Sequence, residues 1–175
     1  SFSANFNILV AGVPKVMGVA EILSEWIAFR TECVSRRVYF DLKKAKEKLH
    51  LLLGLKKILL DIGKAGEIVR GTGEEAEVVP NLMIGFGIDE IQADHVAEIK
   101  LRHLNREYIL KRLADIDELK ESIEDMEDIL NNKSRIKKII VEELTKVAQK
   151  YGKDRKSEII YDTDYEEEVV EEIPD

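Results

Sequence analysis

A single apolar stripe along the first half of the chain limits what the chain can fold into. Apolar residues recur at steps of three and four positions from Val34 to Ile62, which is the spacing of one helix face. We predict one helix from Val19 to Ile62, about 65 Å long at roughly 1.5 Å per residue. Gly54 should weaken this helix by ~1 kcal/mol relative to alanine without ending it. A helix of that length cannot lie inside a compact domain of 175 residues, so we expect it to need a partner along its length.

Two amphipathic segments in the second half of the chain provide that partner. One carries an apolar stripe from Ile109 to Leu130 and the other a stripe from Ile136 to Tyr151, with Asn131-Asn132-Lys133 between them. Ser134 is predicted to cap the second of these helices, and Gly152 is placed to end it. Single-stripe segments of similar total length are expected to pack as an antiparallel coiled coil.

Glycine-rich sequence separates the two halves, and short irregular segments lie at both ends. Between residues 63 and 86 the pattern predicts a short helix from Lys64 to Arg70, a loop, and a helical turn near Asn81 to Ile84. The stretch NFNILVAGVPKVM at 5–17 predicts two strands around a turn at Gly12-Val13-Pro14.

The predicted fold is therefore mainly α, a long antiparallel coiled coil capped by a small helical head, with a short β-hairpin at the N-terminus and an acidic C-terminal tail. Its expected segments are the hairpin at 1–18, the first long helix at 19–62, the head at 63–107, the returning helices at 108–157 and an acidic linker at 158–175. Because the chain starts without methionine in what reads as a strand, we expect it to be a piece of a longer protein.

Charge and composition exclude several classes of protein. No apolar run approaches the ~20 residues that span a membrane, no signal peptide is recognisable, and the single cysteine, Cys33, suits a reducing cytoplasm. The net charge is −8, but nine of the 35 acidic residues lie between Glu158 and Asp175, so the rest, with 27 basic residues, is almost neutral. Acidity therefore does not argue against a nucleic-acid partner. From Arg30 to Lys57 there are nine basic and three acidic residues, a mildly electropositive stretch.

Residues 87–104, GIDEIQADHVAEIKLRHL, predict a helix that starts near Glu90 and carries two apolar groups. Asp89 is the expected N-cap, with Gln92 completing a capping box. Either the helix is buried between two parts of its own domain, or one face packs on the head and the other on a second copy across a two-fold axis. The favoured contact face consists of Gln92, His95, Val96, Ile99, Lys100 and His103, and the alternative face of Ala93, Ala97, Leu101 and Leu104.

No self-contained active site is recognisable. The glycines at 85 and 87 fill two places of a dinucleotide fingerprint, but Glu90 occupies the third. His50, His95 and His103 lack metal-ligand spacing and are expected to serve packing or an interface. We therefore predict no catalytic, cofactor-binding or metal-binding residue in this chain.

The sequence nevertheless resembles a known family, the A subunits of bacterial type IIA DNA topoisomerases. The resemblance is carried by Arg36-Arg37, Phe40-Asp41-Leu42, Lys44-Ala45, LLLGL at 51–55, Gly87, Glu90-Ile91-Gln92-Ala93, Leu101-Arg102 with Leu104, and the closing YGKDRKSEI. It runs from about residue 5 to 160 and would place the chain from the end of the tower domain through the coiled coil to the exit gate. Asn105-Arg106-Glu107 stands where the family usually has threonine-glycine-leucine-glutamate, and extra glycines follow Ile62, which leaves gyrase and topoisomerase IV both open.

The resemblance implies a function that composition and spacing do not. Such enzymes pass one DNA duplex through a transient break in another, changing supercoiling or decatenating, and release the passed duplex through a dimeric exit gate. It implies a homodimer, a B subunit with ATPase activity, double-stranded DNA as substrate, and a bacterial, nucleoid-associated location. ATP and magnesium would act elsewhere in the enzyme, and the cleaving tyrosine would lie upstream, so this part alone should be inactive. Lys43, Lys44 and Lys46 would line the DNA cavity. The competing interpretation is a coiled-coil dimerisation scaffold without topoisomerase activity.

Overall fold

A computed structural model of the protein describes residues 3–158. Two strands and six α-helices follow one another in this range, and a 3₁₀ turn precedes each of α3 and α5. The predicted acidic linker lies outside the described residues, apart from Glu158. The elements are β1 Asn7–Val10, β2 Val13–Val16, α1 Val19–Leu60, α2 Ile62–Gly71, α3 Val78–Phe86, α4 Glu90–Ala97, α5 Arg106–Asn131 and α6 Lys133–Tyr151.

The long helix α1 confirms the first prediction, although it ends at Leu60 and not at Ile62. Asp61 explains the difference, because its side chain accepts a hydrogen bond of 3.1 Å from the backbone nitrogen of Lys64 and so caps α2. The helix α2 contains the segment predicted from Lys64 to Arg70, and α3 contains the turn predicted near Asn81. A mainly helical architecture with one very long helix is therefore confirmed.

The helices α5 and α6 return along α1 and form two separate apolar clusters with it. The head cluster joins α1 to α3, α4 and α5 and contains the buried residues Leu52, Leu55, Ile58, Leu59, Leu82, Ile88, Ala93, Val96 and Ile116. The arm cluster joins α1 to α5 and α6 and contains Val34, Val38, Ile129, Ile136 and Ile140. Asn132 caps α6, since its side chain accepts a hydrogen bond from the Ser134 nitrogen. The cap is thus Asn132, earlier in the chain than the predicted Ser134.

The N-terminal hairpin is present, but its turn differs from the prediction. The strands pair from Asn7 with Val16 to Val10 with Val13, so Val13 and Pro14 belong to β2. The turn is Ala11-Gly12, and both residues have positive φ, 50° and 80°. Positive φ at both central positions is the two-residue turn whose twist matches antiparallel strands. The expectation of a turn through Pro14 was therefore wrong.

No helix within residues 3–158 combines the length and apolar character that a membrane crossing requires.

Candidate dimer surface of the head

Helix α4 begins as predicted, at Glu90, because Asp89 and Gln92 cap it reciprocally. The Asp89 side chain accepts a hydrogen bond of 2.8 Å from the Gln92 nitrogen, and the Gln92 side-chain oxygen accepts one of 3.2 Å from the Asp89 nitrogen. This capping box satisfies two backbone donors that would otherwise lack partners at the start of the helix.

The predicted single helix through residue 104 was wrong, because α4 ends at Ala97. Residues 98–105 are a connector that contains a 3₁₀ turn at Leu101–His103. Ile99 and Leu104 both pack on the head cluster, yet on a continuous helix they would lie about 140° apart at roughly 100° per residue. The break lets both side chains reach the same core. Asn105 then caps α5 by accepting a hydrogen bond from the Tyr108 nitrogen.

The buried face of α4 unites residues that the sequence analysis had placed on opposite faces. Gln92, Ala93 and Val96 are 8%, 0% and 4% exposed, and they fall within about 100° of one another on the helix. Helix α4 therefore has one buried face, which packs on α1 and α3, and one exposed face.

Gln92 explains why a glycine occupies position 54, inside α1 near its C-terminal end. A Cβ atom at Gly54 would lie 2.7 Å from the Gln92 Cβ, so the two helices approach more closely than any side chain at position 54 allows. The Gln92 side-chain nitrogen donates a hydrogen bond of 2.7 Å to the His50 carbonyl oxygen on α1. Together with the capping box, this contact satisfies the buried amide at both ends.

Two further polar contacts fix the segment just before α4 to α1. The Nε2 atom of His50 contacts the Asp89 carboxylate, and Lys57 donates a hydrogen bond of 2.9 Å to the Gly87 carbonyl oxygen. The pKa of Asp89 is lowered, first by the hydrogen bond from the Gln92 nitrogen and then by His50. We call this set of contacts between α1 and residues 87–92 the head–arm joint.

The structure separates the predicted interface residues into three groups. Gln92 and Val96 of the favoured face, and Ala93 of the alternative face, are buried within the chain and are not available to a partner. Ile99, His103 and Leu104 are half-buried, and the His103 ring stacks on Tyr108 at 4.9 Å between centroids. His95, Ala97, Lys100 and Leu101 are exposed. Neither predicted face is available as a whole, and each contributes exposed members.

Three large aliphatic side chains of the head are strongly exposed. Ile84 is 84% exposed, Ile91 67% and Leu101 85%. Ile91 and Ile84 were absent from both predicted interface faces. Ile91 could have been found, because it lies three residues before Asp94 and four before His95 on the polar side of α4. Ile84 gave no such signal, since α3 is too short and too apolar for its periodicity to show one face.

The three lysines predicted to line a DNA cavity differ in their surroundings. Lys44 forms an ion pair with Glu47 at 3.1 Å, and Lys46 one with Glu127 at 2.5 Å. Lys43 is exposed, and the ion pairs found among residues 3–158 do not include it. Within the same described residues, no group of three or more histidine, cysteine, aspartate or glutamate side chains is arranged to hold a metal ion.

Comparison with known proteins finds one family and relatives of two kinds. Residues 1–145 match the family model for the A subunit of DNA gyrase/topoisomerase IV. The chain is 39% identical over 161 residues to the DNA gyrase A subunit of Borreliella burgdorferi, an alignment that covers 92% of this chain and 20% of the relative. It is 38% identical over 158 residues to the DNA topoisomerase 4 A subunit of Salmonella typhimurium, covering 90% of this chain and 21% of the relative. The chain thus spans about a fifth of the length of these relatives.

Proposed function

The chain belongs to the family of DNA gyrase and topoisomerase IV A subunits, and from that premise we propose that it forms the coiled-coil arm and exit gate of a type II DNA topoisomerase. In this proposal two copies meet through their heads, and the contact opens to release a DNA duplex that has been passed through a break in another. Gyrase and topoisomerase IV relatives match at similar identity, so the proposal covers both. Family membership favours this proposal over the alternative, a coiled-coil dimerisation scaffold without topoisomerase activity.

The remaining parts of the proposal concern the complete enzyme. DNA cleavage by tyrosine, magnesium binding, and ATP hydrolysis by a B subunit are assigned to regions other than this chain. The complete enzyme is proposed to act in the bacterial cytoplasm, at the nucleoid, on double-stranded DNA. This chain alone is proposed to be catalytically inactive.

The exposure of Ile84, Ile91 and Leu101 on the head is the observation that carries the proposal. All three are more than 65% exposed in a small helical head, and large aliphatic side chains exposed to this degree are candidates for contact with a second protein surface. Exposed charged residues surround these side chains. An apolar contact with a charged rim suits an interface that forms and separates repeatedly, whereas obligate interfaces are larger and more apolar.

Besides a contact that can open, a gate requires stiff arms, and α1 provides the stiffness. Helix α1 is 42 residues long without a break, so it spans about 63 Å at roughly 1.5 Å per residue. A pair of arms of this length can enclose a DNA duplex. Lys43, Lys44 and Lys46 are proposed to face that duplex, with Lys43 contributing the charge that has no ion-pair partner among residues 3–158.

Self-association of the head can be tested on this chain by sedimentation equilibrium. We expect a dimer at micromolar concentration for the wild type and a monomer for Leu101→Asp, because the new carboxylate would be buried against the partner. Val141→Asp is the matched control, since Val141 is a comparably exposed residue, at 60%, on α6 of the arm. It should leave the dimer unchanged. A wild-type chain that remains monomeric at all accessible concentrations would contradict the proposal.

A further inference from the structure

The exposed side of the head contains an apolar groove with an acidic edge. The groove lies between α4 and residues 76–83, which belong to the 3₁₀ turn before α3 and to α3 itself. Its volume is about 770 Å³. Its lining residues carry two carboxylates and no basic group: they are Ala76, Val79, Pro80, Met83, Glu90, Ile91 and Asp94. We refer to this feature as the acidic groove.

The connector after α4 presents a feature of the opposite kind. Leu101 is 85% exposed and stands between two exposed basic residues, Lys100 and Arg102. Residues 100–106 contain three lysine or arginine residues and no acidic one. We refer to Lys100, Leu101 and Arg102 as the basic knob.

The charges of both features are free to meet a partner. Among residues 3–158, neither the carboxylates of the acidic groove nor the basic side chains of the knob take part in an ion pair. The knob does not fill the groove of its own chain, because Leu101 would then be buried. The knob is an exposed apolar side chain with a positive charge on either side, and the groove is an apolar recess with two negative charges. The two features are therefore complementary in shape and in charge.

We propose that the basic knob of one copy inserts into the acidic groove of a second copy, and that the second copy does the same in return. This pairing rests on the proposed self-association of the head and specifies which surfaces meet. A two-fold axis between the knob and the groove makes the two contacts identical. Leu101 packs on the aliphatic lining of the groove, while Lys100 and Arg102 face Glu90 and Asp94.

The pairing explains how a gate contact can be specific and yet separate. Exposed ion pairs contribute little affinity, but they suppress wrong registers through like-charge repulsion. When the two heads part, the charges at each contact return to water, so no unpaired charge is left buried. The dimer should accordingly weaken as salt concentration rises, because exposed charges are screened.

The proposal can be tested by mixing two variants of the chain with opposite charge reversals. Glu90→Lys with Asp94→Lys makes both groove and knob basic, and Lys100→Glu with Arg102→Glu makes both acidic. Each variant alone should dimerise about tenfold or more weakly than the wild type, because like charges oppose each other at both contacts. An equimolar mixture should form a heterodimer that is more stable than either homodimer, because one of its two contacts has the basic knob on the acidic groove, as in the wild type, and the other has the same charges exchanged. Native mass spectrometry distinguishes the heterodimer from both homodimers.

Two controls keep the outcome interpretable. Circular dichroism and thermal unfolding verify that each variant is folded, and Asp94→Lys with Lys100→Glu as separate single variants replaces the double variants if these unfold. Glu118→Lys and Lys120→Glu reverse exposed charges on α5 and should not alter dimerisation.

The possible results separate this pairing from the proposed function. Folded variants that dimerise like the wild type, or that weaken without recovery on mixing, would overturn the pairing and leave head self-association standing. A monomeric wild type would instead overturn the proposed function, and the pairing with it.

Discussion

The head cluster and the arm cluster hold the same antiparallel helices together by different means. The head cluster has nine buried residues from four helices and from the segment between α3 and α4. The buried polar side chain beside it, Gln92, is hydrogen-bonded through both its oxygen and its nitrogen. The arm cluster has five buried residues and is flanked by ion pairs at the surface. In these pairs Glu143 accepts from Arg30 and Arg37, and Arg135 contacts Asp125 and Asp128.

This difference indicates where motion of a gate is expected. Buried apolar packing and satisfied buried hydrogen bonds respond little to salt, whereas exposed ion pairs are weak and screened. The head should therefore stay attached to the C-terminal part of α1 as one body. The part of the arm that contains α6 should deform more easily. In the proposed gate, the contact between two heads opens while the head–arm joint stays closed.

The largest expected effect is the loss of a side chain from the head cluster. Leu55 is 2% exposed, and Leu55→Ala should lower the free energy of unfolding by about 3–4 kcal/mol, because it removes buried methyl groups and leaves a cavity. Ile140→Ala in the arm cluster should cost about 2 kcal/mol, since the smaller cluster can relax around it. Urea unfolding followed by circular dichroism measures both. Leu60→Ala, at a site 69% exposed on the same helix, is the control and should change less than about 0.5 kcal/mol. Equal costs for Leu55 and Ile140 would remove the contrast between the clusters.

Glycine substitutions test the close approach at the head–arm joint. Gly54→Ala should destabilise the chain by about 1–3 kcal/mol despite the higher helix propensity of alanine, because the new Cβ meets Gln92. Gly66→Ala on α2 is the matched change, since nothing lies within 4 Å of its Cβ position, and it should stabilise by up to ~1 kcal/mol. The same unfolding experiment gives both signs. A stabilised Gly54→Ala variant would show that α4 does not press on α1 at this point.

Acid should weaken the ion pairs of the arm. Hydrogen bonds from Arg30 and Arg37 hold the pKa of Glu143 below its usual value of 4.5. A carboxyl group with a lowered pKa in the folded chain stabilises the fold above its unfolded pKa, and this contribution is lost as pH falls through the lower, folded value. Below about pH 4.5, the melting temperature of the wild type should therefore fall more steeply than that of Glu143→Gln. The pKa of Asp89 is lowered too, so the difference between wild type and variant isolates the arm. If the melting temperatures of the two proteins fell equally with pH, the Glu143 ion pairs would not be the source of the acid sensitivity.

The smallest expected effect on stability belongs to the three lysines. Lys43→Gln should change the free energy of unfolding by less than Lys46→Gln, because Lys46 pairs with Glu127 and Lys43 has no such partner within residues 3–158, and both changes should stay below about 1 kcal/mol. Neutralising all three lysines in the full-length protein should slow DNA strand passage severalfold and leave DNA cleavage intact. Unchanged strand passage would remove these residues from the proposed cavity.

The long helices were predicted well from the sequence because each depends on a pattern within its own segment, namely one apolar stripe at helical spacing. Helix α1 needs one apolar stripe, and spacing alone shows it from Val34 onward. The start of α4 was equally local, since Asp89 and Gln92 satisfy each other's backbone within one turn. The hairpin turn was placed too late in the chain, because positive φ at Ala11 cannot be read from its residue type.

The candidate site was predicted less well because its geometry depends on distant contacts. Ile99 and Leu104 both pack on the head cluster, and α4 ends before them. The sequence of residues 87–104 does not show that both side chains have the same packing partner. Gln92 was predicted to contact a partner, but its side-chain nitrogen donates a hydrogen bond to the His50 carbonyl oxygen on α1. The exposure of Ile84 and Leu101 became evident only once the head had been folded around them.

The most direct test compares two chemical locks in the full-length protein, reconstituted with the B subunit that the proposed function assigns to it. Leu101→Cys with Ile91→Cys, joined between the basic knob of one copy and the acidic groove of the other by a short bis-maleimide, should stop DNA strand passage and leave DNA cleavage intact. His50→Cys with Asp89→Cys, joined within one chain across the head–arm joint, should leave strand passage unchanged. Both locks are made in a background with Cys33→Ser. Strand passage that survives the lock between copies, or that stops with the lock inside the joint, would contradict the proposal that the gate opens between the heads.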